Sequence, residues 1–287
     1  MKLGIVGMLP DDFRTHEPAH LEAISELGFT GAGFHFPGEL AGEIVPADIE
    51  RELKLFSDHG IDLVQCAVTY RECLFDPNTS VRKAVARKIV KTAEIAAALD
   101  AHCFLIRPGS LNPRGAWTPH PDNHTPEAWA LLIDTLKKVV PNLENHGVTA
   151  VMETHVVSIL KDPETCRRLI DEIGSPSLRL VMDYVNHFES LSQVYDNRNR
   201  LDHVFSEVGA SSPVMHIKDI AIGPGLVVHL DETVPGNGEL DLTHCFQHFE
   251  NLFPEGYGLI EHLKPDLIPE AAQNTRAILS EAGINVL

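Results

Sequence analysis

The chain has 287 residues, of which 44% are hydrophobic and 22% charged, and a formal net charge of −18 at pH 7. This composition is that of a globular protein with a large core, and the strongly acidic balance argues against nucleic acid and anionic membranes as partners. No apolar stretch approaches the ~18 residues needed to span a bilayer, and the N-terminus has the pattern of a first strand rather than of a signal peptide.

The five cysteines form no CxxC pair, and their number is odd. Cys66 and Cys103 lie within apolar runs. Such residues are typical of reduced, buried thiols in a cytoplasmic protein. We therefore expect a cytoplasmic chain without disulfides. The composition is also compatible with a homodimer or a homotetramer.

Short apolar runs alternate with amphipathic segments along the whole chain, which predicts repeated βα units around a parallel sheet. The predicted strands are Leu3–Met8, Gly31–Phe36, Asp62–Thr69, His102–Arg107, Thr149–Glu153, Leu178–Asp183, Val214–Ile217 and Tyr257–Glu261. Between strands, Val81–Asp100 and Pro126–Asn145 carry apolar residues at the three- and four-residue intervals of helices. The eight repeats predict one (β/α)₈ TIM barrel domain over residues 1–287. A doubly wound open sheet is the alternative, but it needs a topological switch and usually has fewer strands.

Two long loops are predicted at the carboxyl ends of strands. Gly109–Thr125 follows the fourth strand, and we expect it to form a lid or a pocket wall. Ala221–Glu239 is rich in glycine and follows the seventh strand. Its GPG and GNG segments lack the strand–GxGxxG–helix context of a dinucleotide site, so we interpret them as turns.

Four consecutive predicted strands end in a polar residue: Glu153, Asp183, His216 and Glu261. In a barrel these ends meet at the mouth, where active sites lie. A single carboxylate there is usually a salt-bridge partner or a helix cap, but three gathered together repel one another unless a cation neutralises them. The set therefore predicts one divalent metal ion, with Mn²⁺ favoured and Mg²⁺, Co²⁺ or Zn²⁺ as alternatives.

At these positions the chain resembles the xylose-isomerase-like TIM barrels, which include ketose 3-epimerases, hydroxypyruvate isomerase, inosose dehydratase and endonuclease IV. The resemblance covers the whole length and rests on GVTAVMETH, LRLVMDYVNH, HIKD, PGNGELD and LIEHL. It implies that Glu153, Asp183, His216 and Glu261 hold one metal and that the two glutamates are catalytic, exchanging the proton on opposite sides of the substrate carbon. A cation bound to the carbonyl and the adjacent hydroxyl of a ketose makes that carbon a stronger acid, so carboxylates can act there as base and acid.

Two departures from the superfamily's patterns bear on the substrate. Endonuclease IV has further histidines on strands three, four and six, where this chain has Val68-Thr69-Tyr70, Arg107-Pro108-Gly109-Ser110 and Asn186. We therefore expect no activity on DNA. The ketose epimerases usually have a histidine three residues after the strand-six aspartate, where this chain has Asn186 with His187 beside it.

The candidate substrate-binding residues are His35, Arg107, Trp117, His155, Asn186, His187 and Lys218. His155 lies two residues after Glu153 and is expected to point to the same side. Lys218 is expected either to neutralise a developing oxyanion or to pair with Asp219. For Arg107 a substrate contact and a structural ion pair remain open, and Trp117 either stacks on a sugar face or packs locally.

These features favour an isomerase or epimerase acting on a ketose or a small hydroxy-carbonyl compound, with a sugar or polyol as substrate. A lyase acting on a keto-inositol or a 3-keto-sugar is the alternative, because its first step, removal of the α-proton, is the same. A non-catalytic sugar-binding barrel is the third hypothesis. A binder has no need of two proton-transferring carboxylates, so the four-residue set argues against it.

Overall fold

The computed structural model describes residues 1–287 and closes eight parallel strands into a barrel. The barrel strands are β1 (Lys2–Val6), β2 (Gly31–Pro37), β3 (Asp62–Thr69), β4 (Cys103–Ile106), β5 (Ala150–Met152), β6 (Leu178–Met182), β7 (Val214–Ile217) and β10 (Tyr257–Ile260). Their order around the barrel is β1-β10-β7-β6-β5-β4-β3-β2. Because β1 pairs with both β10 and β2, the sheet has no edge, which confirms the predicted barrel and excludes the open sheet.

Helices surround the barrel. They are α1 (Pro18–Glu26), α2 (Pro46–His59), α3 (Thr79–Ala98), α4 (Pro126–His146), α5 (Pro163–Ile173), α6 (Leu191–Tyr195), α7 (Asn197–Val208), α8 (Leu242–Leu252) and α9 (Ile268–Glu281). The two helices predicted in detail correspond to α3 and α4. Gly147, which ends α4, has φ +66°, a left-handed conformation that other residues adopt at a cost. None of the helices is long and apolar enough to cross a bilayer.

The core has two layers, because alternate residues of each strand face opposite sides. On β4, Phe104 and Ile106 join a large cluster of 70 buried residues shared with the helices. Cys103 and Leu105 join a separate cluster of 10 residues drawn from the strands alone, the layer inside the barrel. All five cysteines are buried and unpaired, as predicted.

The inner layer positions the four strand-end residues. Val151, Val181, Val214 and Leu259 belong to it, and Glu153, Asp183, His216 and Glu261 each follow one of them by two residues. Since side chains two positions apart share a face of a strand, all four point inward at the carboxyl end of the barrel.

The prediction of a glycine-rich loop after β7 was wrong in part. The chain forms an antiparallel hairpin there, with strands β8 (Asp219–Ile222) and β9 (Leu230–Thr233). β8 is mainly apolar and β9 mainly polar, so neither shows the alternation that marks a strand in sequence. The hairpin brings Glu232 toward the barrel mouth, where it lies 3.3 Å from the Nζ of Lys218.

Candidate metal centre

The four predicted ligands come together at the barrel mouth. One ligand atom from each of Glu153, Asp183, His216 and Glu261 lies within 4.8 Å of those of the others. All four side chains are buried, and Glu153 is the most exposed at 7%. Three carboxylates and one imidazole at this spacing can surround a single ion.

Gln65 fixes the orientation of the His216 ring. The His216 Nε2 lies 2.9 Å from Gln65 Oε1, so Nε2–H is the donor and Nδ1 is the nitrogen that faces the carboxylates. That Nδ1 is buried and lies 3.0 Å from Glu261 Oε1 and 3.5 Å from Asp183 Oδ2. A histidine whose second nitrogen is held by a polar partner in this way is the usual arrangement of a metal ligand.

The ammonium of Lys218 lies among the same carboxylates. Its Nζ donates to Asp183 Oδ2 at 2.7 Å and lies 2.7 Å from Glu261 Oε1. The ammonium thus contacts Asp183 Oδ2 and Glu261 Oε1, while the buried Asp183 Oδ1 has no hydrogen-bond partner. A divalent ion would neutralise the same carboxylates and bind Nδ1 of His216 in place of its proton, so the residues present fit a metal.

Lys218 does not pair with Asp219, which corrects one of the two roles considered for it. The Asp219 carboxylate instead accepts hydrogen bonds from the backbone N–H groups of Gly236 and Gly238 at 3.0 Å and of Leu240 at 3.2 Å. Tyr184 secures the lysine backbone, since its hydroxyl donates to Lys218 O at 2.6 Å and accepts from Lys218 N at 3.1 Å. These contacts leave the lysine side chain directed at the carboxylates.

Burial and neighbouring charge shift the pKa values of Glu153 and Glu261 in opposite directions. Burial, reinforced by the charge of Glu261, raises the pKa of Glu153 to about 7. Burial also works to raise the pKa of Glu261, but the charges of His216 and Lys218 outweigh it and hold that pKa well below its usual value. The pKa of His216 is raised to about 10, because the neighbouring carboxylates outweigh the burial that would lower it. The ion-free site therefore holds one carboxyl that is protonated near neutrality and one that is ionised.

Three of the candidate substrate residues form one wall beside the cluster. The rings of Trp117 and His155 lie 5.7 Å apart, and the guanidinium of Arg107 lies 5.9 Å from the Trp117 ring. Arg107 makes no salt bridge, so the structural ion pair considered for it is not formed; its charge lies over Trp117 and Tyr70. Arg107 and Trp117 line a cavity of about 850 Å³ between Tyr70 and the loop that carries Ser110, but His155 and the four candidate metal ligands do not line it.

The other predicted contacts differ in their access to the mouth. His187 is buried, and its Nε2 lies 3.1 Å from Thr154 Oγ1. Asn186 is buried beside it. His35 is partly buried, and burial lowers its pKa although the charge of Glu261 works to raise it.

Sequence reasoning missed three polar residues of the site. Gln65 is a lone amide in the apolar strand β3, a signal that could have singled it out. Glu232 reaches the site only through the hairpin, where its Oε2 lies 3.2 Å from the Nδ1 of His262. His262 follows Glu261 with φ +59°, an uncommon backbone conformation for a residue other than glycine.

Comparison with known proteins identifies the family of the chain. The family described as "Xylose isomerase-like TIM barrel" matches residues 21–282 of the chain. The chain belongs to this family. A search of the curated proteins gave no match.

Solved structures share the xylose isomerase-like barrel at low sequence identity. The 3-keto-D-glucoside 4-epimerase from E. coli is 16% identical, with a TM-score of 0.72 over 98% of this chain and 99% of that one. A xylose isomerase-like TIM barrel protein from Mycobacterium smegmatis, in complex with magnesium, is 15% identical, with a TM-score of 0.73 over 98% and 96%. The probable 3-DHS dehydratase from Bacillus anthracis is 12% identical, with a TM-score of 0.71 over 97% and 98%. At these identities the likeness shows the fold.

Proposed function

We propose that this protein is a divalent-metal-dependent isomerase or epimerase acting on a ketose or a related hydroxy-carbonyl compound. The observation that carries the proposal is the buried cluster at the barrel mouth, in which one ligand atom from each of Glu153, Asp183, His216 and Glu261 lies within 4.8 Å of the others. Two of its members, Glu153 and Glu261, are glutamates, whose carboxyls can hold a metal and can also accept or donate a proton.

The two carboxyls follow barrel strands that are not neighbours, which supports an approach to the substrate from two directions. Glu153 follows β5 and Glu261 follows β10, and β6 and β7 lie between those strands. A substrate carbon held between them can lose its proton to the carboxylate of one glutamate and receive a proton on its other face from the carboxyl of the other. In the reverse direction the roles exchange.

The cluster would hold the metal through Glu153, Asp183, His216 and Glu261. When bound, a divalent ion supplies positive charge that stabilises the oxyanion developing as the proton leaves. A hard oxygen-rich set favours Mn²⁺ or Mg²⁺ over the other candidates, and the magnesium complex of the Mycobacterium smegmatis protein supports a hard ion in this fold.

The surrounding side chains would bind and orient the substrate. The Lys218 ammonium, next to Asp183 and Glu261, can donate to a substrate oxygen beside the reacting carbon. Trp117 and His155 present ring faces and edges to a sugar, and Arg107 supplies donors for its hydroxyls. These contacts describe a pocket for a small polar molecule rather than for a polymer.

Proton exchange in D₂O tests the proposal and separates the alternatives. Metal-loaded protein is incubated with a panel of ketoses and keto-sugars, and products are followed by NMR and mass spectrometry. We expect deuterium at one carbon together with an isomeric product. A dehydrated product would assign the lyase, and absence of exchange across the panel would contradict the enzyme assignment. Glu22→Gln, which changes an exposed carboxylate on α1, is the matched control and should behave as wild type.

A further inference from the structure

A second group of potential metal ligands lies on the outer surface of the barrel, between two helices. Asp202 comes from α7, and His244 and His248 come from α8. Each histidine Nε2 lies 2.7 Å from Asp202 Oδ1, and the two Nε2 atoms lie 3.2 Å apart. Their side chains are 51%, 20% and 31% exposed respectively, so an ion from solution can reach them.

The triangle formed by these three atoms matches the faces of a tetrahedral metal site. Ligands about 2.05 Å from a zinc ion at tetrahedral angles are separated by about 3.3 Å. The two nitrogens already have that separation. The distance from each nitrogen to the carboxylate oxygen is about half an ångström shorter, and rotation of the exposed Asp202 side chain can make up this difference.

The surrounding structure positions the His248 ring and the start of α8. The His248 ring stacks on Phe205 of α7, with centroids 4.9 Å apart and an interplanar angle of 12°. The backbone N–H of His244 donates to the N-capping Asp241 at 2.9 Å, and Asp241 N in turn donates to Asn197 Oδ1 at 2.9 Å. The start of α8 is thereby tied to the start of α7, which reduces the ordering cost of binding an ion.

We propose that Asp202, His244 and His248 bind one zinc ion, with water as the fourth ligand, and that this ion clamps α7 to α8. Imidazole nitrogens and a carboxylate are common zinc ligands, and two histidines four residues apart on a helix are a common source of them. The overall charge of −18 favours the approach of a cation. The site is separate from the barrel mouth, so this proposal does not depend on the proposed function.

Zinc titration of the chelator-treated full-length protein tests this site. Wild type is compared with Asp202→Asn, His244→Gln and His248→Gln by calorimetry and by metal analysis after dialysis. We expect each variant to bind one zinc ion fewer per chain than wild type, with wild-type affinity on the order of micromolar or tighter. The wild-type site should also give the intense visible absorption of four-coordinate cobalt when Co²⁺ replaces zinc, and His248→Gln should lose it.

His203→Gln is the matched control, because His203 also lies on α7 but pairs with Glu164 at 3.0 Å. It should bind as many zinc ions as wild type. Equal zinc stoichiometry in wild type and in all three ligand variants would overturn the proposal, as would binding that appears only at millimolar zinc. His216→Ala, which alters the barrel mouth, should leave the cobalt spectrum of this site in place.

Discussion

The ammonium of Lys218 donates a 2.7 Å hydrogen bond to the buried carboxylate of Asp183. Neither group is exposed to solvent by more than 2%. An isolated charge buried this deeply would be strongly unfavourable, so each partner depends on the other. The same carboxylate is a candidate metal ligand, which links the stability of the barrel mouth to its occupancy by a cation.

Replacing Lys218 with Met is expected to destabilise the metal-free protein by about 3 kcal/mol, because the carboxylates lose their buried counter-charge. Saturating divalent metal should restore most of this loss, since the ion binds the folded state and neutralises the same oxygens. Urea unfolding with EDTA and with Mn²⁺ measures both quantities. Lys138→Met breaks an exposed pair with Asp134 and should cost less than about 1 kcal/mol. An equal loss for Lys218→Met with and without metal would argue against a cation site at Asp183.

Glu153→Gln and Glu261→Gln separate metal binding from proton transfer. Glutamine can still offer an amide oxygen to a metal but cannot accept a proton. If both glutamates move protons, turnover should fall about 10²-fold or more and stay low at saturating Mn²⁺. For an epimerase, we expect one of the two variants to retain hydrogen exchange from a single face of the substrate without forming product. Recovery of both variants to near wild-type turnover with added metal would leave only a ligand role for these residues.

Gln65→Leu tests the positioning of His216. Without the Gln65 carbonyl, the His216 Nε2–H loses its acceptor and the ring can rotate away from the cluster. We expect the affinity for divalent metal to fall about 10-fold, the lower end of the usual effect of removing such a partner. Competition with a fluorescent chelator measures it. Gln65→Glu keeps an acceptor and should retain more affinity than Gln65→Leu; the opposite order would contradict the positioning role.

His187 should make the stability of the protein fall in mild acid. Burial, with help from the Arg200 charge, lowers the pKa of His187 from 6.5 to about 4. The unfolded chain therefore binds a proton between these two pH values that the folded chain does not, so stability is lost as the pH falls through this window. For this group alone the loss between pH 7 and pH 5 is about 2 kcal/mol.

Urea unfolding of wild type and His187→Gln at both pH values isolates this contribution. The variant should lose less stability than wild type on acidification. His229→Gln, at an exposed position on the hairpin tip, should follow wild type. An identical pH dependence in wild type and His187→Gln would show that the buried imidazole is not the cause.

Gly238→Ala tests the tight packing of the segment after the hairpin against Asp219, whose carboxylate accepts its backbone N–H groups. A Cβ at position 238 would overlap Asp219 Oδ1 and Ile220 O. Because this space is bounded by backbone and by a buried carboxylate, we expect a loss of about 2 kcal/mol of stability. A Cβ at Gly42 would meet nothing within 4 Å, so Gly42→Ala should be close to neutral. Thermal and urea unfolding compare the two, and equal stability of both variants would exclude this tight packing.

The sequence by itself predicted the strands and the inward direction of the four site residues. Each predicted strand is an apolar run, and the observed strands lie within those runs or extend them by a residue. Because residues two positions apart share a face of a strand, Glu153 points to the same side as Val151, and Asp183 to the same side as Val181. These are local properties, and closure of the barrel converts them into one cluster.

Only the tertiary structure decided which residues complete that cluster. Gln65 meets His216 across 151 positions of the chain, and Glu232 reaches Lys218 through a hairpin that carries no clear alternation. The spacing of His244 and His248 places both on one face of a helix, but nothing local indicates that Asp202 faces them. Such contacts depend on how a whole helix or hairpin is rotated and packed against its neighbour, and that orientation results from many apolar contacts shared across the core rather than from the residues that meet.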